Sequence, residues 1–369
     1  MIYLDHHAAA PVCGAALDAM DRVRAEGWAN PSSTHAAGRQ ARKFVEEARE
    51  ALAAVLDARP ADLVWTGGGT EACNLGVFGL LAGRQHPRVV TTSVEHPAVS
   101  AAIERSGARV QTLASEDGIP PSPDELGRAL EELVDLVAVS WVNHETGTVF
   151  PIEQYADVCA MEGVPLFIDA CQALGKLPIS VERPGLSAIA VASSKVGGPA
   201  GAGALWIERG FDLPPWLAGG AQERGRRPGS PDVAAIAGFG AALAELDARL
   251  AAMPAIAERR DRLEAACVEL GARPNAGRGP RASTVSNVSF RNWKGPELVA
   301  ALDLEGLCAS SGAACSSGLG EPSPVLEAMY PDQLWRASSA LRLSLGPGTT
   351  DGDVEAAEAV LRKVVPRAD

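Results

Sequence analysis

Between residues 60 and 207 the chain alternates short apolar runs with stretches of helical periodicity, and no other feature limits its fold so sharply. The apolar runs fall at 63–66, 88–94, 109–113, 136–142, 165–169, 188–192 and 202–207. Amphipathic stretches at 71–81, 97–105, 123–133 and 152–162 separate most of them. Strands that alternate with helices are joined by crossovers, which set successive strands parallel and pack helices on both faces of the sheet. The pattern therefore predicts an α/β fold with a mainly parallel central sheet flanked by helices. Ligands of such sheets bind beyond the carboxyl ends of the strands.

Past this region the periods change. Residues 219–231 are rich in Gly, Arg and Pro and read as an ordered functional loop. Helical periods resume at 232–252 and 255–270. A strand at 284–290, a helix at 295–302, a Ser- and Gly-packed loop at 310–320, a strand at 340–345 and a helix at 350–364 follow. A chain of 369 residues exceeds one simple core, given domains of roughly 150 residues. The expected division is a large domain at 13–254 and a smaller α+β domain at 255–369, with an N-terminal segment, 1–12, that packs with the small one.

Composition narrows the partners. Hydrophobic residues make up 47% and charged residues 21%, an ordinary globular mixture. A net charge of −13 argues against nucleic acid, whose phosphates need a dense basic surface, and the cluster Arg224, Arg226 and Arg227 is too short to be a track. No stretch approaches the roughly 20 apolar residues that span a bilayer. The N-terminal residues carry no signal-peptide pattern, so a cytoplasmic location is expected. Seven scattered cysteines, with no Cys-x-x-Cys pair, are neither a disulfide framework nor a zinc ribbon.

Four segments converge on one kind of ligand. Thr66-Gly67-Gly68-Gly69-Thr70-Glu71 sits between a strand and a helix. Glycines there let a backbone approach closely, and the free N–H groups of a helix start favour a phosphate. A plain Gly-rich turn would look the same, since neither Walker nor Rossmann spacing is present. Asp169 ends an apolar strand, either as a helix cap or as a carboxylate that keeps a pyridine nitrogen protonated. Lys195 follows an apolar strand through Ser193-Ser194. It is an ordinary surface lysine, or a buried one with a depressed pKa whose neutral amine forms a Schiff base. His96, in Val94-Glu95-His96-Pro97, is a core histidine or one that stacks on an aromatic cofactor and relays protons.

The order of these segments resembles the class V aminotransferase-like pyridoxal-phosphate enzymes, and within them the cysteine desulfurases of the shorter NifS/IscS type. The likeness begins at Ile2-Tyr3-Leu4-Asp5-His6-His7-Ala8 and takes in Asn30-Pro31-Ser32-Ser33-Thr34-His35 and the Gly-Gly-Thr-Glu loop. It continues through Glu95-His96, Val142-Asn143-His144-Glu145-Thr146-Gly147-Thr148, Asp169-Ala170-Cys171-Gln172 and Lys195. It ends with Gln222-Glu223-Arg224-Gly225-Arg226-Arg227-Pro228-Gly229-Ser230, Ser310-Ser311-Gly312-Ala313-Ala314-Cys315-Ser316-Ser317 and Leu341-Arg342-Leu343-Ser344-Leu345-Gly346.

The resemblance implies fold type I of the pyridoxal-phosphate-dependent transferases, with pyridoxal 5'-phosphate held on Lys195. Asp169 would partner the ring nitrogen, His96 would stack on the ring as an acid or base, and Gln172 would bind the ring oxygen. Gly69, Thr70 and Ser194 would serve the phosphate, and Ser230 would reach the phosphate of a second subunit, which implies a homodimer. Arg342 would clamp the substrate carboxylate, with Asn30 beside it. Cys315, in its loop of small residues, would carry the sulfur of L-cysteine as a persulfide and hand it to an acceptor or scaffold protein. No resident metal is implied, although Cys315 would be able to ligate an iron–sulfur cluster transiently.

Three positions depart from the family pattern: His144, at the position that would contact the ring oxygen of the cofactor, replaces an asparagine, Ala192 and Ser194 replace a serine and a histidine that bind phosphate, and Ala8-Ala9-Ala10 replaces Ala-Thr-Thr. A different C–S lyase or selenocysteine lyase, a class V transaminase, and a non-catalytic binding homologue are the alternatives these changes raise.

Overall fold

A computed structural model describes residues 1–312 and 321–365. Its central sheet has seven strands: β2 (Leu63–Thr66), β3 (Arg88–Thr92), β4 (Arg109–Leu113), β5 (Leu136–Ser140), β6 (Leu166–Asp169), β7 (Ala188–Ala192) and β8 (Gly203–Ile207). They lie in the order β2-β8-β7-β6-β5-β3-β4, with β8 antiparallel to both neighbours and the other pairs parallel.

Alternation along the strands sorts the core into two faces. Trp65, Val90, Val137, Val139, Ile168, Ile189 and Val191 pack on one side with α2 (Ala36–Val55), α6 (Ile152–Glu162) and α7 (Val233–Leu243). Val64, Val89, Leu136, Ala138, Phe167, Ala190 and Leu205 pack on the other with α3 (Gly69–Leu80) and α4 (Pro97–Arg105). Helix α3 comes close because Gly76 lacks a Cβ, which would stand 2.4 Å from the Phe167 ring. Helices α1 (Gly14–Glu26) and α5 (Pro123–Ala129) complete this part of the chain.

The later elements include α8 (Leu246–Glu269), β9 (Arg273–Pro274), β10 (Val285–Ser289), α9 (Gly295–Leu304), β11 (Leu307–Cys308), the short helices Pro324–Met329 and Trp335–Ser338, β12 (Ala340–Ser344) and the helix Asp351–Val364. β10 lies between β12 and β9, antiparallel to both. β1 (Ile2–Tyr3) pairs in parallel with β11, and Leu4 joins the third apolar cluster beside Ile256, Leu263, Leu298, Leu341 and Leu361.

The helices after residue 231 differ from their sequence pattern. The break falls between α7 and α8, at residues 244–245, and Pro254 stands inside α8. A proline in a helix removes one hydrogen bond. Here the buried stripe Leu246, Met253, Ile256, Arg260 and Leu263 keeps helical spacing straight through it. Among the described residues, no helix is long and apolar enough to cross a membrane.

Candidate active site

The carboxyl ends of five strands open on one cleft. Behind β2, Gly67 and Gly68 lead into α3, so the first-turn N–H groups, which have no intrahelical acceptor, belong to residues on the cleft wall. Thr66 Oγ1 donates to Gly68 O at 3.0 Å, and Gly67 N–H is tied to Glu71 Oε2 at 2.6 Å. A Cβ on Gly203 would meet the Gly68 carbonyl carbon at 2.5 Å, so the turn keeps its place only against a glycine.

After β3 the chain turns into α4 with His96 as its cap. His96 Nδ1 accepts from Ala98 N–H at 3.0 Å, so the neutral ring carries its proton on Nε2. Burial lowers its pKa, the Asp169 carboxylate opposes that, and Lys195 adds to it. The neighbouring ring is His144, edge-on at 4.9 Å. Burial, with His96, Arg342 and Lys195 around it, holds His144 well below the usual histidine range. Its Nδ1 is buried without a partner among the described residues.

β6 ends on Asp169, whose Oδ1 accepts from Cys171 N–H at 2.9 Å. Cys73, Asp169 and Cys171 bring two sulfurs and a carboxylate oxygen within 4.8 Å of one another. Metal binding would require both thiols as thiolates. The bond to Cys171 and burial raise the Cys73 thiol well above its ordinary value. The Cys171 thiol is held down by its bond to Cys73 but raised on balance by burial. The trio therefore presents two protonated thiols hydrogen-bonded to the Asp169 side chain.

β7 leads through a 3-10 turn to Lys195, half-buried on the cleft wall. Its Nζ donates to His7 O at 2.9 Å and to Ala8 O at 2.6 Å. Gln172 Nε2 donates to the same His7 carbonyl at 2.9 Å, and its Oε1 accepts from Lys176 Nζ. Arg342, 2% exposed on β12, donates to Asp5 Oδ1 at 2.8 Å and to His144 O at 3.2 Å, while its buried Nε has no partner among the described residues.

Of the predicted site residues, the structure gathers Gly69, Thr70, His96, His144, Asp169, Gln172, Ser194, Lys195 and Arg342 around this cleft. Asn30 and Ser230 are exposed and do not line it. Asn30 is a turn residue instead, its Oδ1 accepting from Ser32 N–H at 2.9 Å. Cys315 lies outside the described residues. Sequence reasoning missed Cys73, Cys171 and Ser140 on the wall, the backbone role of His7, and buried Lys176. Lys176 stands four residues from Gln172, a spacing that was available to find it; a backbone carbonyl has no such signal.

A mainly parallel sheet that delivers a lysine, an acid, a histidine and a phosphate-ready helix start to one cleft is the arrangement of a fold-type-I pyridoxal-phosphate enzyme. Residues 2–357 match the aminotransferase class-V family, and the chain belongs to it. The chain is 41% identical over 389 residues to the IscS-like cysteine desulfurase of Mycobacterium tuberculosis, covering 100% of this chain and 97% of the relative. It is 36% identical over 375 residues to the cysteine desulfurase of a Nostoc species, covering 100% and 93%. A solved NifS-like protein, 28% identical, superposes with a TM-score of 0.89 over 98% of both chains. The structure described as SspA in complex with cysteine, also 28% identical, superposes at 0.81 over 95% of this chain and 100% of that one.

The residues present fit the cofactor of this family, pyridoxal phosphate. The first turn of α3 and the Thr70 and Ser194 hydroxyls suit its phosphate, Asp169 its ring nitrogen, Gln172 its ring oxygen and Lys195 its aldehyde carbon. The lost hydroxyl at Ala192 concerns the same corner: its Cβ would be 3.1 Å from a Cβ on Gly69. Losing one neutral donor costs about 1 kcal/mol, small for a group also held covalently.

Proposed function

We propose that the protein is a cysteine desulfurase, which converts L-cysteine to L-alanine and leaves the sulfur as a persulfide on Cys315. The observation that carries this reading is the meeting of Lys195, Asp169, His96 and Arg342 in one cleft at the start of α3. Likeness over the full chain to relatives named cysteine desulfurase supports the choice of substrate.

Bound pyridoxal phosphate supplies an electron-withdrawing ring that makes the substrate's Cα–H acidic. Asp169 would face the ring nitrogen, and Arg342 would hold the substrate carboxylate through paired N–H donors. Lys195 would take the Cα proton, and His96, with its proton on Nε2, would serve as the second acid or base. The Cys315 thiolate then attacks the substrate sulfur. An S–S bond forms, the C–S bond breaks, and the electron pair left on carbon is protonated on the way to alanine. The role of Cys315 rests on its flanking sequence.

The persulfide would pass to an acceptor or scaffold protein, for iron–sulfur clusters or other sulfurated products, in the cytoplasm. The same reading makes the protein a homodimer in which Ser230, exposed and away from its own chain's cleft, serves the partner's phosphate. It also keeps the division into a large domain, 13–254, and a small one, 255–369. The third apolar cluster, which joins Leu4 to residues 253–365, supports a separate small core, although α8 runs across the boundary at 254–255.

The test is Cys315→Ala assayed for alanine from L-cysteine. Alanine formation should fall to background while the cofactor's visible absorbance is retained. Undiminished alanine would show that no persulfide on Cys315 is needed.

A further inference from the structure

Lys176 takes no part in the chemistry above, yet it is buried, with 8% of its surface exposed. It closes a turn held by Lys176 N–H to Ala173 O at 3.0 Å and Leu177 N–H to Ala173 O at 2.9 Å. Gly175 in that turn has φ 71°, and a Cβ there would stand 2.8 Å from Leu246. The bend brings Lys176 Nζ back to donate to Gln172 Oε1. The other end of the same amide, Nε2, donates to His7 O at 2.9 Å.

The two ends of an amide are not equivalent, because the oxygen only accepts and the nitrogen carries two N–H donors. With the oxygen taken by Lys176 and one N–H by His7, the second N–H remains for the cleft that Gln172 lines. A flipped amide would set Oε1 against the His7 carbonyl, acceptor against acceptor. We propose that Lys176 is a positioning residue for the cofactor: by holding Gln172 Oε1 it keeps the Gln172 N–H donors turned to the cleft, where one binds the ring oxygen of pyridoxal phosphate. This inference rests on the assignment of Gln172 to that oxygen.

The charged and titratable groups that bear on Lys176 are Lys195, Arg342 and Cys171, and Lys176 acts in turn on His6 and His7. Arg249 lines a small cavity with His6, Lys176 and Lys195. Burial, and then Lys195 and Arg342, push Lys176 well below the usual lysine range. The contact survives in either form, since a neutral amine keeps its N–H donors.

The experiment is a pH titration of the bound cofactor's visible absorbance in purified holoenzyme. A hydrogen bond to the ring oxygen stabilises its deprotonated form, so losing the bond raises the midpoint. Lys176→Met and Gln172→Ala should each raise it by about one pH unit. The double variant should shift no further than the larger single change. A midpoint moved by Gln172→Ala but not by Lys176→Met would overturn the role of Lys176 and leave the Gln172 assignment standing. If neither substitution moves it, the assignment falls and the inference with it. Shifts that add in the double variant would show that Lys176 acts by its charge alone, which also overturns the inference. Lys176→Gln, which keeps an N–H donor, serves where the methionine variant does not fold: its midpoint should stay near wild type, and a shift as large as that of Gln172→Ala would refute the proposal.

Discussion

Glu95 shows how a single carboxyl behind the site couples to pH. It is buried, and it accepts from Thr92 Oγ1 and Ser140 Oγ, both at 2.5 Å. Burial pushes its carboxyl up to about 7, against the hydroxyls that would lower it, from an ordinary 4.5. The folded protein therefore binds a proton that the unfolded chain has released between those two values. Stability should fall as pH rises from about 4.5 to about 7, by up to about 3 kcal/mol. Glu95→Gln should remove that part of the slope; urea midpoints whose pH dependence is the same in both proteins would assign the slope to other groups. At this scale the sequence was legible where side-chain chemistry sits at a strand end, as for Asp169, Lys195 and His96. It was silent on the His7 and Ala8 carbonyls that hold Lys195, because any residue type carries a carbonyl.

Among the elements, the short strand β1 has consequences beyond its size. It pairs with β11, and the residues after it supply Leu4 to the third core, Asp5 to Arg342 and two carbonyls to Lys195. Leu4 is fully buried, so Leu4→Ala should cost about 2–5 kcal/mol. The same substitution should loosen cofactor retention, because the carbonyls of His7 and Ala8 lie only a few residues further along the chain. Denaturant unfolding checks the first effect, and cofactor loss on gel filtration checks the second. β5, β6 and β7 were legible as continuous apolar runs because both of their faces are covered. A two-residue strand offers no such run, and β1, β9 and β11 could not be read. Helix α1 was faint for a related reason, since it buries only Ala16 and Val23. The break before α8 was misplaced because proline marks a helix end in sequence, whereas a long buried stripe outweighs it in the fold.

For the molecule as a whole, the cleft is where distant parts of the chain meet, from Ala8 through Gly69, His96 and Asp169 to Arg342. A ligand bound there stabilises every segment that forms the site. Apoprotein should therefore melt below holoenzyme, and reconstitution should add about 2.7 kcal/mol at a hundredfold excess of cofactor over its Kd. Calorimetry across a range of pyridoxal-phosphate concentrations checks this, and a melting temperature that ignores the concentration would show that the folded chain does not bind the cofactor. The α/β class was legible from the alternation alone. The convergence of Arg342 and Asp5 was not, since nothing local to either residue encodes a partner 337 positions away.

That separation also sets a timetable. The His7 backbone N–H finds its acceptor on Ser344, and β1 waits for β11. At roughly 5–20 residues per second of synthesis, residues 2–7 emerge tens of seconds before their partners exist. The central sheet can form in that interval, but the seat of Lys195 cannot. A nascent chain should therefore gain its first core well before its capacity for cofactor.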